Sequence, residues 1–392
     1  MIHLSGGCKL AGEWPVSGPS IVGEVMSRDA DQLIIDCFFG CERQTVTATF
    51  QLSDDASPTP QLALSSELSH LGVGDFISIY PKSGRLRVLF RKESQTNNFL
   101  VTEVCDNYCL MCSQPPRKVN DERLLDEIAA IVPRLPRDLH EIGFTGGEPT
   151  LRGERFFSIL RLLRDELPAT AVHVLSNGRA FSRPELAQAW ADIRHPDLMV
   201  GIPIYSDQSD IHDYVVQADG AFDETVRGVL NLKALRQAVE VRIVLHRHTI
   251  GRLEKFAYFI ARNLSAVDHV ALMGLELMGF AVAHQDDLWI DPREHERAIT
   301  RAAQTLAWAG LRVSIYNLPL CVLSADARRY AIRSISDWKR EYWQACSECS
   351  LREKCGGAFF SSRNRMEPYI APIRELVESA DSVIVEEPAR RA

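Results

Sequence analysis

The stretch FLVTEVCDNYCLMC, residues 99–112, runs a short apolar segment directly into three cysteines. Phe, Val and Thr crowd residues 99–104, so that segment reads as a β-strand. Cys105, Cys109 and Cys112 follow it at the spacing Cys-x3-Cys-x2-Cys. Outward from this point the patterns alternate. ERLLDEIAAIV (122–132) has apolar residues at helical spacing, with Asn120 or Asp121 as cap and Pro133 as stop. HEIGFTG (140–146), AVHVLSNG (171–178), DLMVGIPIY (197–205), VEVRIVLHR (239–247) and DHVALMGLEL (268–277) read as strands. RFFSILRLLRDEL (155–167), FDETVRGVLNLKALRQ (222–237) and LEKFAYFIARNL (253–264) read as helices between them, the second with Phe222, Val226, Val229, Leu230 and Leu235 on one side. Six β/α units in a row predict an α/β fold of parallel strands with right-handed crossovers, doubly wound or curled into a partial barrel. Either way, ligands gather at the C-terminal ends of the strands, where the cysteines lie.

Residues 1–95 read differently. QLIIDCFFG, QTVTATFQL, FISIYP and RLRVLFR are short β-rich runs separated by SDDASPTP and PKSG, which predicts a small all-β sandwich or barrel. ESQTNN (93–98) reads as a linker. Beyond 285, AITRAAQTLAWAG reads as a helix and RVSIYNL as a strand, followed by a second group of cysteines.

The chain has 392 residues, is 46% hydrophobic and carries a net charge of −8. The acidic balance argues against a broad nucleic-acid surface. No apolar run reaches the roughly 18–20 residues of a membrane span, and MIHLSGGCKLAGEWP lacks a secretory pattern, so the expected location is the cytoplasm. Thiols stay reduced there, and the clustered members of the ten cysteines therefore read as metal ligands rather than disulfides. Cys8, Cys37 and Cys41 read as small buried residues of the β domain.

Three thiolates on one short loop leave one position of a tetrahedral or cubane site open, and an open position marks a catalytic centre. On spacing alone, a zinc knuckle or a four-ligand electron carrier remains an alternative. The next strand ends in GFTGGEPT, where Gly146 and Gly147 let the backbone approach a ligand closely and Glu148 offers a carboxylate to an amino group. A further set, Cys321 with Cys346-x2-Cys349-x5-Cys355, completes four ligands for zinc or an iron–sulfur cluster. His246 and His248 flank Arg247 at the end of the fifth strand, as structural residues or as contacts at the mouth.

With both motifs in place, residues 97–285 resemble the radical S-adenosylmethionine (radical SAM) enzymes. The resemblance implies a partial (β/α)6 TIM-like barrel, flanked by the N-terminal β domain (1–95) and a C-terminal extension (286–392). It implies that Cys105, Cys109 and Cys112 hold a [4Fe–4S] cluster whose fourth iron is chelated by S-adenosylmethionine. Reductive cleavage would then give a 5′-deoxyadenosyl radical. Gly146, Gly147 and Glu148 would hold the amino group of S-adenosylmethionine. Ser176 and Asn177 fall where the family contacts ribose or carboxylate, as does Ser206 after the fourth strand. Arg227 is a candidate for the carboxylate. Met111 stands where the family often has an aromatic, so the adenine would pack on a thioether.

The run CSECSLREKC (346–355) looks like the SPASM and twitch extensions of the family, with enough cysteines for one auxiliary [4Fe–4S] cluster on Cys321, Cys346, Cys349 and Cys355. The segment after the fourth strand resembles peptide maturases through His212, Asp213, Gly220 and Phe222. LVTEVCDNYCLMCSQPPR and CGGAFFSS look more narrowly like the maturases of the His-Xaa-Ser system, the HxsC type. That likeness implies a precursor peptide with His-Xaa-Ser repeats as partner, a second radical SAM maturase, and an electron donor such as flavodoxin or ferredoxin. The rival readings are a radical SAM enzyme for a small molecule or nucleobase, and a non-catalytic iron–sulfur or zinc module.

Overall fold

The computed structural model describes residues 4–11, 14, 16–30, 32–50 and 61–374. The separator SDDASPTP and the tail from 375 lie outside the described residues. The N-terminal strands are β1 (Ser5–Ala11), β2 (Ile21–Asp29), β3 (Gln32–Phe39), β4 (Gln44–Thr49), β5 (Gln61–Leu64), β6 (Phe76–Tyr80) and β7 (Arg85–Phe90). They close into a barrel in the order β1-β5-β4-β3-β2-β6-β7, with β1 pairing β7 antiparallel. Of the two architectures expected here, it is the barrel. Closure removes the free edges that a strand of another chain would pair with. Alternate residues fill its interior: Ile21, Val25, Leu33, Ile35, Cys37, Val46, Ile77 and Ile79 are wholly buried. Cys8 and Cys41 pack against that core.

The remaining chain builds one seven-stranded sheet from β8 (Asn98–Thr102), β9 (Glu141–Gly146), β10 (Ala171–Leu175), β11 (Leu198–Pro203), β12 (Ala238–Leu245), β13 (His269–Gly274) and β14 (Arg312–Tyr316). Strand order follows chain order without reversal, so the sheet is singly wound rather than doubly wound. The pairs β11–β12, β12–β13 and β13–β14 are parallel. The seventh strand lies beyond residue 285, so the sheet runs on into the segment expected to be C-terminal extension. Along β12, Val239, Val241, Ile243 and Leu245 are buried on one face, while Glu240, Arg242 and Val244 alternate onto the other.

Two compact units divide the chain: residues 1–102, 120–145 and 152–172 form one, and residues 103–119, 146–151 and 173–392 the other. In the first, helix α1 (Arg123–Ile131) is joined to the barrel through the buried carboxylate of Glu127. Glu127 accepts hydrogen bonds from Ser78 Oγ (3.0 Å) and Tyr80 Oη (3.3 Å) and pairs with Arg87 (3.5 Å). The capping expected at Asn120 or Asp121 takes another form. Glu122 is the N-cap and makes no side-chain capping bond, while the Asp121 carboxylate pairs with Thr102 and Arg152. Residues 93–98 are not a loose linker. Ser94 and Asn97 are buried, and the Asn97 amide bridges Arg91 through both its oxygen (2.9 Å) and its nitrogen (3.0 Å).

In the second unit, helices α4 (Ser209–Val216) and α5 (Ala221–Ala234) follow β11. Helix α5 buries Ala221, Thr225, Gly228, Val229 and Leu232, and Leu230 is left 48% exposed rather than on the packed side. The reason is Gly228. A β-carbon there would lie 2.2 Å from the Gly178 carbonyl oxygen, so the helix turns its smallest residue, not its largest, to the neighbouring turn. Helix α2 (Gly153–Glu166) follows β9 and helix α3 (Pro184–Ala191) follows β10.

Candidate cluster and cofactor site

Three loops of the second unit meet around the first cysteine group. The cysteine loop leaves β8 and is fastened along its length. Tyr108 N and Leu110 N donate to the carbonyls of Val216 and Val215 at the end of α4, both at 3.0 Å. Phe280 N donates to the Cys112 carbonyl at 2.9 Å. The glycine-rich loop follows at 146–148. Its close approach depends on Gly147, where a β-carbon would lie 2.1 Å from the Val104 carbonyl oxygen. Glu148 N completes the join by donating to that same carbonyl at 2.8 Å.

Glu148 is 1% exposed, and its carboxylate works within the protein. Oε1 accepts from Thr150 N (3.0 Å), Thr150 Oγ1 (2.6 Å) and Ser176 Oγ (2.8 Å), and Oε2 from Asn177 N (2.6 Å). Burial raises its pKa despite these donors. The acid expected to face an amino group thus ties its own loop to the Ser176–Gly178 turn. Ser176 also accepts from Gly178 N at 3.1 Å. Asn177 reaches the cysteine loop, its Nδ2 donating to Asp106 Oδ1 at 2.6 Å.

The other expected contacts are distributed less evenly. Ser206 is buried and accepts from Gln208 N at 3.1 Å, which starts α4. Arg227 is exposed on α5 between the buried Thr225 and Gly228, so the helix face that packs does not carry it. Met111 is buried. His246 is wholly buried and caps the short turn after β12, accepting from His248 N at 3.3 Å; burial holds it neutral, with its pKa lowered to about 3. His248 bonds Asp287 at 2.9 Å.

Residues that sequence reading passed over also stand here. Arg179 lies directly after the Ser-Asn-Gly turn and bonds the cysteine loop at Asp106 O (3.0 Å) and Asn107 Oδ1 (2.7 Å). Tyr205 is buried and feels the charges of Cys109, Cys112 and Cys105. Away from the cysteine loop, toward the starts of β12 and β13, Glu240 pairs with Arg242 (2.5 Å) and His269 (2.6 Å), and His269 bonds Ser314 (2.8 Å). Only the adjacency of Arg179 to Ser176 and Asn177 gave a signal; the others needed the register of the strands.

Burial is the main cause that pushes the Cys105 thiol up to about 12, opposed by the N–H of Asn107 and reinforced by Glu148, Asp106 and Cys112. Cys109 is raised by burial and by both other cysteines, so the three share one electrostatic neighbourhood. A free thiolate is costly there, and a cationic iron centre removes that cost. The second group behaves alike. Cys355 Sγ accepts from Leu320 N and Gly357 N, and Cys349 Sγ from Ile373 N, each at 3.4 Å. Burial is the main cause that raises Cys321 and Cys355, with smaller contributions from Cys355 and Cys346 on the one and from Cys346 and Cys349 on the other. Among the described residues, no three His, Cys, Asp or Glu side chains sit where one metal ion would hold them. A cubane takes each thiolate on a separate iron, and its ligands stand farther apart than those of one ion. The first group offers three thiols on one short loop, the donor type that such a cluster takes.

Residues 99–260 match the model of the radical SAM superfamily. Among solved structures, SuiB of Streptococcus suis bound to S-adenosylmethionine aligns over 73% of this chain and 77% of its own, at 11% identity and a TM-score of 0.53. Native anSMEcpe with bound AdoMet aligns over 68% and 90%, at 15% identity and a TM-score of 0.47. A radical SAM methyltransferase from Sphaerobacter thermophilus aligns over 78% of both chains, at 16% identity and a TM-score of 0.42. No curated protein sequence matches the chain. The shared fold is carried by the first of these structures. The chain carries a radical SAM domain over residues 99–260 and is an enzyme of that chemistry, with a [4Fe–4S] cluster and S-adenosylmethionine as its cofactors.

Proposed function

We propose that this enzyme modifies a ribosomally made precursor peptide of the His-Xaa-Ser type, with a second [4Fe–4S] cluster on Cys321, Cys346, Cys349 and Cys355. The observation that carries the reading is the second cysteine group, in which backbone N–H groups donate to the sulfurs of Cys355 and Cys349. Such donors stabilise thiolates and tune a bound cluster. The likeness of residues 204–232 and of the closing CGGAFFSS to peptide maturases supports a peptide. When bound, the cluster and S-adenosylmethionine supply hydrogen-atom abstraction through a 5′-deoxyadenosyl radical. On this reading Cys105, Cys109 and Cys112 hold the first cluster. Gly146, Gly147 and Glu148 would hold the amino group, and the Ser176–Gly178 turn fixes the loop that presents them. A flavodoxin- or ferredoxin-type donor and a second maturase are the partners that fit.

The test is to reconstitute the protein anaerobically, reduce it with S-adenosylmethionine present, and follow 5′-deoxyadenosine with and without a synthetic His-Xaa-Ser peptide. The peptide should raise the yield and change in mass. Cleavage with no peptide change, and with turnover of a small molecule instead, would replace the peptide reading.

A further inference from the structure

Arg179 is held from two sides. Its Nε donates to Glu224 Oε2 on α5 at 2.6 Å. Its Nη1 donates forward to the Asp106 carbonyl at 3.0 Å and to Asn107 Oδ1 at 2.7 Å, with the Asp106 carboxylate 3.6 Å away. The backbone that carries it is equally fixed. Gly178 adopts a left-handed φ of 80°, and a β-carbon there would meet Ile202 at 2.7 Å. Thr225 Oγ1 donates to the Asn177 carbonyl at 3.1 Å, which ties the turn to α5. On the other side of the bridge, Asn107 is buried, and its backbone N–H donates to Cys105 Sγ at 3.4 Å. A chain of named contacts thus runs from α5 through Arg179 and Asn107 to the first cysteine sulfur. Only a planar guanidinium spans it, because three acceptors on two segments need a fork of donors rather than a point charge.

We infer that Arg179 is a positioning residue for the three-cysteine cluster, holding Asp106 and Asn107 so that the Asn107 N–H stays on the Cys105 sulfur. This rests on the cluster reading of Cys105, Cys109 and Cys112. Two effects follow. The loop is ordered before the cluster enters, and the bound anionic cluster feels both a hydrogen bond to sulfur and a nearby positive charge, each of which favours its reduced state.

The experiment compares wild type, R179Q and R179K. Amide hydrogen exchange is measured first on the cluster-free full chain. Loss of the charged bonds should speed exchange over residues 106–109 about tenfold in R179Q, with α2 and the barrel unchanged. After reconstitution, the midpoint potential of the cluster signal that responds to S-adenosylmethionine is read by electron paramagnetic resonance. It should move to more negative values in R179Q. R179K should restore the potential in part, because it keeps the charge, but not the protection, because it lacks the fork. Unchanged exchange and an unchanged potential in R179Q would overturn the inference. A wild-type chain that takes up no cluster on the three cysteines would instead overturn the cofactor reading, while the exchange data still decide whether Arg179 braces the loop.

Discussion

A β-carbon at position 147 would stand 2.1 Å from the Val104 oxygen and 2.5 Å from its carbon, and both are backbone atoms that no rotamer change can move aside. Gly147→Ala must therefore push the glycine-rich loop off the cysteine loop. Overpacking of this kind costs about 1–3 kcal/mol, and isothermal titration with S-adenosylmethionine should show affinity falling about tenfold or more. Unaltered affinity would mean that the loop does not hold the cofactor. His212 offers a second test at this scale. It is buried, and its Nδ1 accepts from Tyr205 N at 3.3 Å. Burial lowers its pKa to about 4. The unfolded chain binds a proton here below the ordinary value of 6.5, while the folded chain does not until about pH 4. Stability is therefore greatest above 6.5 and falls as the pH drops through that window, by about 3 kcal/mol at most from this group. Chemical denaturation at stepped pH should show this decline, and His212→Gln should flatten part of it.

Elements make clear why some of the site could be read in advance. The three cysteines and the Gly-Gly-Glu-Pro run are short, contiguous and at strand ends, so sequence alone located both loops. What sequence could not show is where Glu148 spends its carboxylate: Thr150 bonds it from two residues along, but Ser176 and Asn177 reach it only through the fold. The helix after α4 teaches the same lesson in reverse. Leu230 fitted an apolar stripe, yet the packed face was chosen by Gly228 at a contact 50 residues back along the chain. His212, Asp213, Gly220 and Phe222 were noted as a likeness, and geometry joins three of them. Asp213 Oδ2 accepts from Gly220 N (2.7 Å) and Oδ1 from Phe222 N (2.8 Å), which caps α5 across the turn from α4. Asp213→Ala should cost about 1–2 kcal/mol, seen as a lower urea midpoint, and Asp213→Asn should recover much of it. A substitution without effect would show that the turn holds by packing alone.

Across the whole molecule, the two cysteine groups make a prediction in iron. If both hold cubanes, reconstituted protein carries about eight irons per chain, and about four if the C-terminal set takes zinc or stays empty. The variants separate the groups. Cys109→Ala removes a ligand that is raised by both its partners, so the first cluster loses a thiolate from the middle of its set. That variant should keep about four irons and release no 5′-deoxyadenosine. Cys349→Ala removes the thiol that Ile373 N bonds. It should also keep about four irons, yet still cleave S-adenosylmethionine, because Cys105, Cys109 and Cys112 all remain in that variant. Product formation on the peptide should stop in Cys349→Ala if the second cluster takes part in turnover. If instead Cys349→Ala keeps all its iron and full peptide modification, the four cysteines serve folding alone, and the second thiol group is a brace of the chain rather than a redox centre.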